Sequence, residues 1–600
     1  MAKKSTPPPS RYIIGIDLGT TNSALAFAPI DESADPFAPP NVQVMRIPQL
    51  ANPAEVREED LLPSFLYLPG SSDFPSGSLA LPWDAARSFV VGQLAQTRGA
   101  ENAGRLVSSA KSWLSYSGVD RTSALLPAAA PDGVAKISPV AASRAFLEHL
   151  RDAWNHAHPE APFAQQQILV TVPASFDAVA RELTEHAAQE AGYKNVVLLE
   201  EPQAAFYAWI ERHPDWRDQV QVGDLILVVD IGGGTTDFTL ISVTEDHGEL
   251  RLERLAVGEH ILLGGDNMDL ALAHTVNHQL ADKGTKLDTL QFNALWQQCR
   301  IAKETLLEND KKKEHPVTIL GRGTGLVGGT IKSALTRADL DRVLLDGFFP
   351  AVASTDMPQG RRRTGLQEIG LPYAADAAVT RQLAKFLRQS GTLAAPTHVL
   401  FNGGVLRADL VRERLVSVLD SWLAAEGKPP VKVLAGEDLM HAVSRGAAYY
   451  GLARAGKGVR IRGGVPRTYY VGIESAMPAV PGLPAPLKAL TVAPFGMEEG
   501  SGHRFPDREF GLIVGEPAEF RFFSSVARKH DEAGSLLDEI GDDVEELAPM
   551  EVNLPGENGQ IVPVTLESVV TETGMLQLWC VSRDGRRWKL EFNVRERVSS

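Results

Sequence analysis

The chain has only two cysteines in 600 residues, Cys299 and Cys580, and they fall in segments assigned below to different domains. That scarcity excludes a disulfide framework and argues against a cysteine metal site, and it predicts a reducing, cytoplasmic setting. No run of about 18 apolar residues occurs, so no membrane-spanning helix is predicted. The opening stretch, Met1 to Ser10, carries charge without an apolar segment, which predicts a disordered tail over residues 1–10 rather than a secretory leader. Positive charge is short as well: 59 Lys and Arg against 75 Asp and Glu leave a net charge of −16. Nucleic acid and anionic membrane are therefore not expected as partners. The chain also lacks the Gly-x-x-x-x-Gly-Lys-Ser/Thr loop, the common route to a bound nucleoside triphosphate.

What is present is one device written twice. Asp17-Leu18-Gly19-Thr20-Thr21-Asn22-Ser23 and Asp230-Ile231-Gly232-Gly233-Gly234-Thr235-Thr236-Asp237 lie about 210 residues apart. Each follows a short apolar strand, Tyr12 to Ile16 and Leu225 to Val229. Glycine lets the backbone turn tightly and bring N–H groups close to an anion. The threonines add hydroxyl donors, and each Asp can hold a divalent cation through water. Two such loops facing each other would clamp a polyphosphate and its metal. A third glycine turn, Phe401-Asn402-Gly403-Gly404, follows the strand His398 to Leu400. A Gly-x-Gly-x-x-Gly string also occurs at Gly323, Gly325 and Gly328. It sits between two strand-like segments, Val317 to Leu320 and Thr330 to Lys332, which predicts a hairpin rather than a dinucleotide site.

Six hundred residues predict two or more domains. Strands alternate with helical patterns from about Arg11 to Ala455, the signature of α/β layers. Asp177 to Ala191 reads as a helix with Asp177 as N-cap and Gly192 beyond its end. Val411, Leu415, Val418 and Trp422 share one helical face. Glu437 to Ala455 reads as a further helix with a small-residue face at Ala442, Gly446 and Ala447. Residues 354–376, with Arg361-Arg362-Arg363, read as an inserted solvated loop. Residues 456–464 read as a linker, and 465–600 as a β domain. There Trp588, Leu590, Phe592 and Val594 alternate after the turn Asp584-Gly585. Phe520 with Phe522, and Val562, Val564 and Leu566, mark further strands. Asp531 to Glu546, with eight carboxylates in sixteen residues, reads as a solvated loop.

The ensemble Gly15 to Ser23, Val172-Pro173-Ala174, Glu201-Pro202-Gln203-Ala204-Ala205, Asp230 to Asp237, Gly264-Gly265-Asp266, Leu335 to Leu340 and Asn402-Gly403-Gly404 resembles the DnaK-type chaperones of the heat shock protein 70 family. The resemblance spans nearly all of 11–455. It implies an α/β actin-like, two-lobed ATPase domain over 11–455, followed by a mainly antiparallel β domain. Lobe I would run over about 11–212, lobe II over about 213–435, and a returning helix over 436–455. By the same resemblance Gly19, Thr20, Thr21, Asn22, Gly232, Gly233, Gly234 and Thr235 would hold the phosphates. Gly264, Gly265, Lys303, Gly403, Gly404 and Arg407 would hold the rest of the nucleotide. Asp17, Asp230 and Glu201 would hold hydrated Mg²⁺, and Asp237 a monovalent cation, K⁺. Lys111 would orient the attacking water, with Glu201, Asp230 and Thr235 completing the catalytic set. Pro173 and Arg181, at the family's spacing to Glu201, match an interdomain switch with it. Cofactors would be ATP or ADP with Mg²⁺. Partners would be unfolded or extended client polypeptides, a J-domain co-chaperone and a nucleotide exchange factor.

Several positions depart from the family. Arg300 stands where an acid is usual and Leu307 where a serine is usual, both in the adenine-binding helix. Val197 replaces an arginine that engages J-domain partners, and the linker carries Arg460 and Arg462 in place of a leucine-rich acidic segment. The β domain resembles a substrate-binding sandwich with no helical lid after it. Two functions follow from the resemblance and its departures: an ATP-dependent chaperone that hydrolyses ATP slowly and binds apolar peptide segments, or an ATP-binding adaptor with little turnover and a dedicated partner. A metabolite kinase on the same fold is a third, disfavoured by the fused β domain.

Overall fold

The computed structural model describes the chain apart from residues 1–9, 31–39, 129, 195, 247–248, 310, 322–328, 361–370, 372, 391–394, 437, 457–464, 466, 476–485, 499, 526, 542, 548–549, 572, 574 and 594–600. It divides into two compact units, Met1–Val243 with Leu255–Arg460, and Thr244–Arg254 with Ile461–Ser600.

The first unit contains two sheets built to one plan. Their central strands, Tyr12–Leu18 and Leu225–Ile231, share the same burial sequence, with four buried apolar residues and then a half-buried Asp in sixth place. Such continuous apolar runs suit strands covered on both faces. Each central strand turns into an antiparallel neighbour, Asn22–Pro29 or Thr236–Asp246, and pairs in parallel on its other side with Gln167–Val172 or His398–Asn402. Parallel strands Val196–Glu200 and Lys432–Leu434 extend the two sheets on that side. The register sets Asp17 beside Thr171 and Asp230 beside Asn402. The doubled loop of the sequence is therefore one corner of a doubled sheet.

Helices cover the sheets. Ala178–Glu190 begins where expected, with the Asp177 carboxylate accepting from the Ala180 N–H at 2.7 Å, and Gly192 follows its end at φ +83°. Asp409–Ala425 buries Val411, Leu415, Val418 and Trp422. The returning helix is shorter than the expected 436–455. It runs Ala442–Arg454, because the preceding residues form a turn in which His441 Nδ1 lies 2.8 Å from Asp438 Oδ1. This helix lies on strands Tyr12–Leu18, Asn22–Pro29 and Gln167–Val172 and on helix Glu201–Arg212. The approach is so close that a Cβ on Gly446 would overlap the Ala204 carbonyl oxygen, and one on Gly15 would overlap the Ser444 carbonyl oxygen. Gly446→Val should therefore destabilise the unit by about 3 kcal/mol or more, read as a fall in the urea unfolding midpoint.

Strands Glu314–Leu320 and Thr330–Thr336 pair antiparallel, as the hairpin reading expected. The glycine string between them, Arg361 to Arg363, the linker from 457 to 464 and Val594 lie outside the described residues.

The second unit holds a five-stranded sheet that includes Thr468–Glu474, Leu487–Ala493 and Phe522–Ser525, and a four-stranded sheet of Ser501–Val514, Gln560–Val570, Met575–Ser582 and Arg587–Asn593. The adjacent pairs are antiparallel, and both sheets contribute to one apolar core with Val471, Leu490, Leu512, Val564, Leu578 and Trp588. Phe520 and Phe522 fall in different strands, Pro517–Phe520 and Phe522–Ser525, separated by Arg521. The acidic stretch 531–546 is, among its described residues, not all loop. It includes the short strands Leu536–Leu537 and Glu545–Glu546, and Arg528 is tied to Asp531 at 2.7 Å and to Asp543 at 3.1 Å.

Candidate functional site

The two glycine–threonine loops meet in the first unit at a cavity of about 260 Å³. They touch one another: a Cβ on Gly234 would come within 2.8 Å of Thr20 Cγ2, and one on Gly233 would overlap the Thr21 side chain. The first loop is held by Ser64, whose hydroxyl donates to the Gly19 carbonyl at 2.7 Å. The second is held by the start of helix Gly265–Asp282, where Gly265 N–H donates to Gly232 O at 3.1 Å and Asp266 N–H to Gly233 O at 2.7 Å. Gly264 caps this helix, so close to the loop that a Cβ there would come within 2.6 Å of Gly233 O. Gly403 takes φ +89°, a conformation glycine adopts without strain, and passes so near Asp230 that a Cβ would come within 2.7 Å of Oδ1.

Three carboxylates face one ammonium here. Lys111, on the short helix Ala110–Ser115, forms a buried ion pair with Glu201, at the start of helix Glu201–Arg212. Burial alone would lower the Lys111 pKa, but Glu201, Asp17 and Asp230 outweigh it and leave the pKa above its usual value. Burial pushes Asp17 up to about 7, partly offset by Lys111 and reinforced by Glu201. Burial and then Glu201 push Asp230 up to about 8, although Asn402 donates to its Oδ2 at 2.6 Å. These upward shifts show that burial makes charge on Asp17 and Asp230 costly, a cost a cation beside them would relieve. Among the described residues, the buried Thr21 hydroxyl and the buried Asn402 side-chain oxygen also lack partners. Hard oxygen donors, excess negative charge and unfilled hydroxyl and amide groups fit a hydrated divalent cation beside a polyphosphate. Among the described residues no three His, Cys, Asp or Glu side chains form a direct metal cage, so water and ligand oxygens would complete the coordination.

The far end of the cavity is lined by helix Thr289–Glu308 and by the turn Gly404–Arg407. Lys303 pairs with Asp269 at 2.7 Å; Arg300 lies 3.4 Å from Glu304 and 3.7 Å from Asp266; Arg407 lies 3.3 Å from Glu308. Burial raises Asp269 to about 6 despite Lys303 and Arg300. Leu307, Leu344, Val405 and Ala408 supply apolar wall.

The cavity thus brings together Asp17, Gly19, Thr20, Thr21, Asn22, Lys111, Glu201, Asp230, Gly232, Gly233, Thr235, Gly265, Lys303, Gly403, Gly404 and Arg407. Gly234, Gly264, Asp237, Pro173 and Arg181 are not among its lining residues. Arg181 reaches Glu200 at 3.0 Å, with both side chains buried, and not Glu201. Its neighbour Asp177 takes a fork from Arg121 at 2.7 and 2.8 Å. Asn402 was read only as part of a glycine turn, without a role at Asp230, and Asp269 and Leu344 were not singled out from the sequence. Only Asn402 had a signal, a polar residue following the apolar run Val399 to Phe401.

Two α/β lobes of one plan around a cleft of glycine turns and buried carboxylates define the class, a two-lobed cleft protein. Residues 95–352 match the family model described as Hsp70 protein. The match takes in Lys111, Glu201 and the second loop; the first loop and Gly403 lie outside it. Among curated proteins, the Chaperone protein HscA homolog of Polynucleobacter asymbioticus is 30% identical over 386 residues, covering 60% of this chain and 55% of that protein. The homolog from Shewanella baltica is 27% identical over 431 residues, 72% of this chain and 57% of its own. Chaperone protein HscA of Serratia proteamaculans is 29% identical over 287 residues, covering 46% and 39%. The chain spans about half the length of the curated relatives it matches. Among the described residues no helix is long and apolar enough to cross a membrane.

Proposed function

We infer that the chain is an ATP-dependent chaperone of the cytoplasm. It would bind and slowly hydrolyse ATP in the cleft, and hold exposed apolar segments of client polypeptides through its antiparallel β unit. The single observation that carries this is the contact of the two threonine loops over buried, under-neutralised carboxylates beside Lys111. Thr20, Thr21, Thr235 and the backbone of Gly232 and Gly233 would donate to the phosphates, while Asp17 and Asp230 would accept from the waters of Mg²⁺. Bound Mg²⁺ supplies charge neutralisation at the transferring phosphoryl group. Lys111, fixed by Glu201, keeps its proton and would point it at the attacking water, so that positioning rather than a strong base lowers the barrier. Gly265, Gly404, Lys303 and Arg407 would line the nucleoside, and Arg181 with Pro173 would relay its state. A J-domain co-chaperone and an exchange factor are the partners this scheme calls for.

A second function, an adaptor that holds ATP with little turnover, is favoured by the nucleoside end of the cleft, where Lys303 is committed to Asp269 and Leu307 offers no hydrogen bond. Single-turnover hydrolysis with and without an extended apolar peptide separates the two. Slow turnover raised several-fold by peptide is expected for the chaperone. Tight ATP binding with no response to peptide assigns the adaptor, and phosphate transfer to a small alcohol would overturn both.

A further inference from the structure

Asp237 is the position at which the family resemblance implies a monovalent cation, and the side chains around it do not fit one. Ser175, in the loop that follows Pro173 at the end of strand Gln167–Val172, donates its hydroxyl to Asp237 Oδ1 at 2.6 Å. His260 Nδ1 lies 3.1 Å from the same carboxylate oxygen and 3.1 Å from the Ser175 hydroxyl. With the proton on Nδ1, His260 donates into this junction. Its Nε2 is buried and without a partner among the described residues, and an edge-on contact with Phe176 steadies the ring. A large monovalent cation needs a ring of oxygen lone pairs. Here the carboxylate oxygen already receives two donors, and the positive end of an N–H dipole occupies the approach. Burial works against the Asp237 charge, yet His260 and Ser175, with Lys111 beyond, outweigh it and hold this carboxyl below its ordinary value.

The junction also crosses the cleft. Ser175 belongs to the first sheet's lobe; Asp237, on strand Thr236–Asp246, and His260 belong to the second. Asp237 pairs in register with Asp230 across the Gly232–Gly234 turn, so whatever holds Asp237 also holds the wall of the cavity.

We propose that Ser175, Asp237 and His260 form a hydrogen-bonded clasp between the lobes that stands in for a monovalent cation, positioning the Pro173–Ser175 loop against the second glycine turn and making nucleotide binding independent of K⁺. The binding clause rests on the ATP function inferred above; the clasp itself does not.

Two measurements test it. In the apo protein, Ser175→Ala and His260→Ala should each lower the thermal midpoint by about 1–3 °C, and the double variant should melt no lower than the worse single, because the two side chains act through one junction. Additive losses overturn the clasp whether or not ATP binds. Apo thermal midpoints and fluorescent-ATP titrations are then compared in KCl and in tetramethylammonium chloride at equal ionic strength. The wild-type protein should keep its midpoint and change affinity by less than about twofold, His260→Ala should bind about tenfold more tightly in KCl, and His260→Asn, which retains an N–H donor, should again be indifferent. A midpoint or ATP affinity of the wild-type protein that collapses without K⁺ overturns the proposal. ATP binding absent in every salt, with melts still non-additive, defeats the inferred function and leaves the clasp standing.

Discussion

Lys111→Ala should cut single-turnover ATP hydrolysis by about 10²- to 10³-fold while leaving ATP affinity within a few-fold of wild type. The split follows from geometry. Lys111 is buried against Glu201, at the end of the cavity that also holds Asp17 and Asp230, and it does not line the nucleoside end. Its ammonium should matter where charge develops and a water must be aimed, not where the ligand is gripped. The substitution also strands Glu201 as a buried charge with two carboxylates nearby, so stability should fall, by about 3 kcal/mol if the pair behaves as buried pairs usually do. Adding Glu201→Gln should recover most of that stability and none of the turnover. The Lys111 pKa is raised, so the pair's contribution is complete below the unfolded lysine's ordinary value and is lost only as pH climbs through the higher folded one. Through neutral pH the proton stays on. A variant that loses affinity as much as turnover would place Lys111 among the ligand-gripping residues instead.

Asp230→Asn should do two opposite things: remove most of the stabilisation by Mg²⁺ and ATP together, weakening affinity on the order of 10²-fold, and raise the thermal midpoint of the empty protein. The second effect comes from burial, which lifts the Asp230 carboxyl from 3.8 to about 8. The folded value lies above the unfolded one. Stability tied to this group is therefore complete below about pH 4 and is eroded as pH rises through about 8. Asparagine carries no charge to bury, so the gain over wild type should be near zero at pH 4 and grow to about 2–4 °C at pH 8. Asn402 can still donate to the amide oxygen, which keeps the packing. Melts from pH 4 to pH 8, with and without Mg²⁺ and ATP, read both effects. A pH-independent difference would mean that the Asp230 charge is already neutralised in the empty cleft.

Much of the cavity lining was legible because it is local. A strand, a carboxylate at its sixth position and a glycine–threonine turn fit within about ten residues, and φ requirements and donor geometry speak through neighbours in sequence. The turn at Asp584-Gly585, with Gly585 at φ +86°, and the helix capped by Asp177 were legible for the same reason. The start of the returning helix was not, since a local Asp438–His441 contact overrides good helix propensity there. Lys111 and Glu201, 90 positions apart, could be joined only through family resemblance.

By itself, then, the sequence determined that two sheets would each end in a glycine–threonine corner, that the rest of the first unit would be α/β layers, and that an antiparallel β unit would follow. Only the tertiary structure decided what each corner faces. Asn402 meets Asp230 across 172 residues, Arg181 takes Glu200 rather than Glu201, and Ser175 and His260 close on Asp237. Those pairings have no local signature because parallel strand register and the closure of one lobe on the other set them. Both are properties of the packed molecule, in which burial turns an ordinary carboxylate into one that needs a counter-ion.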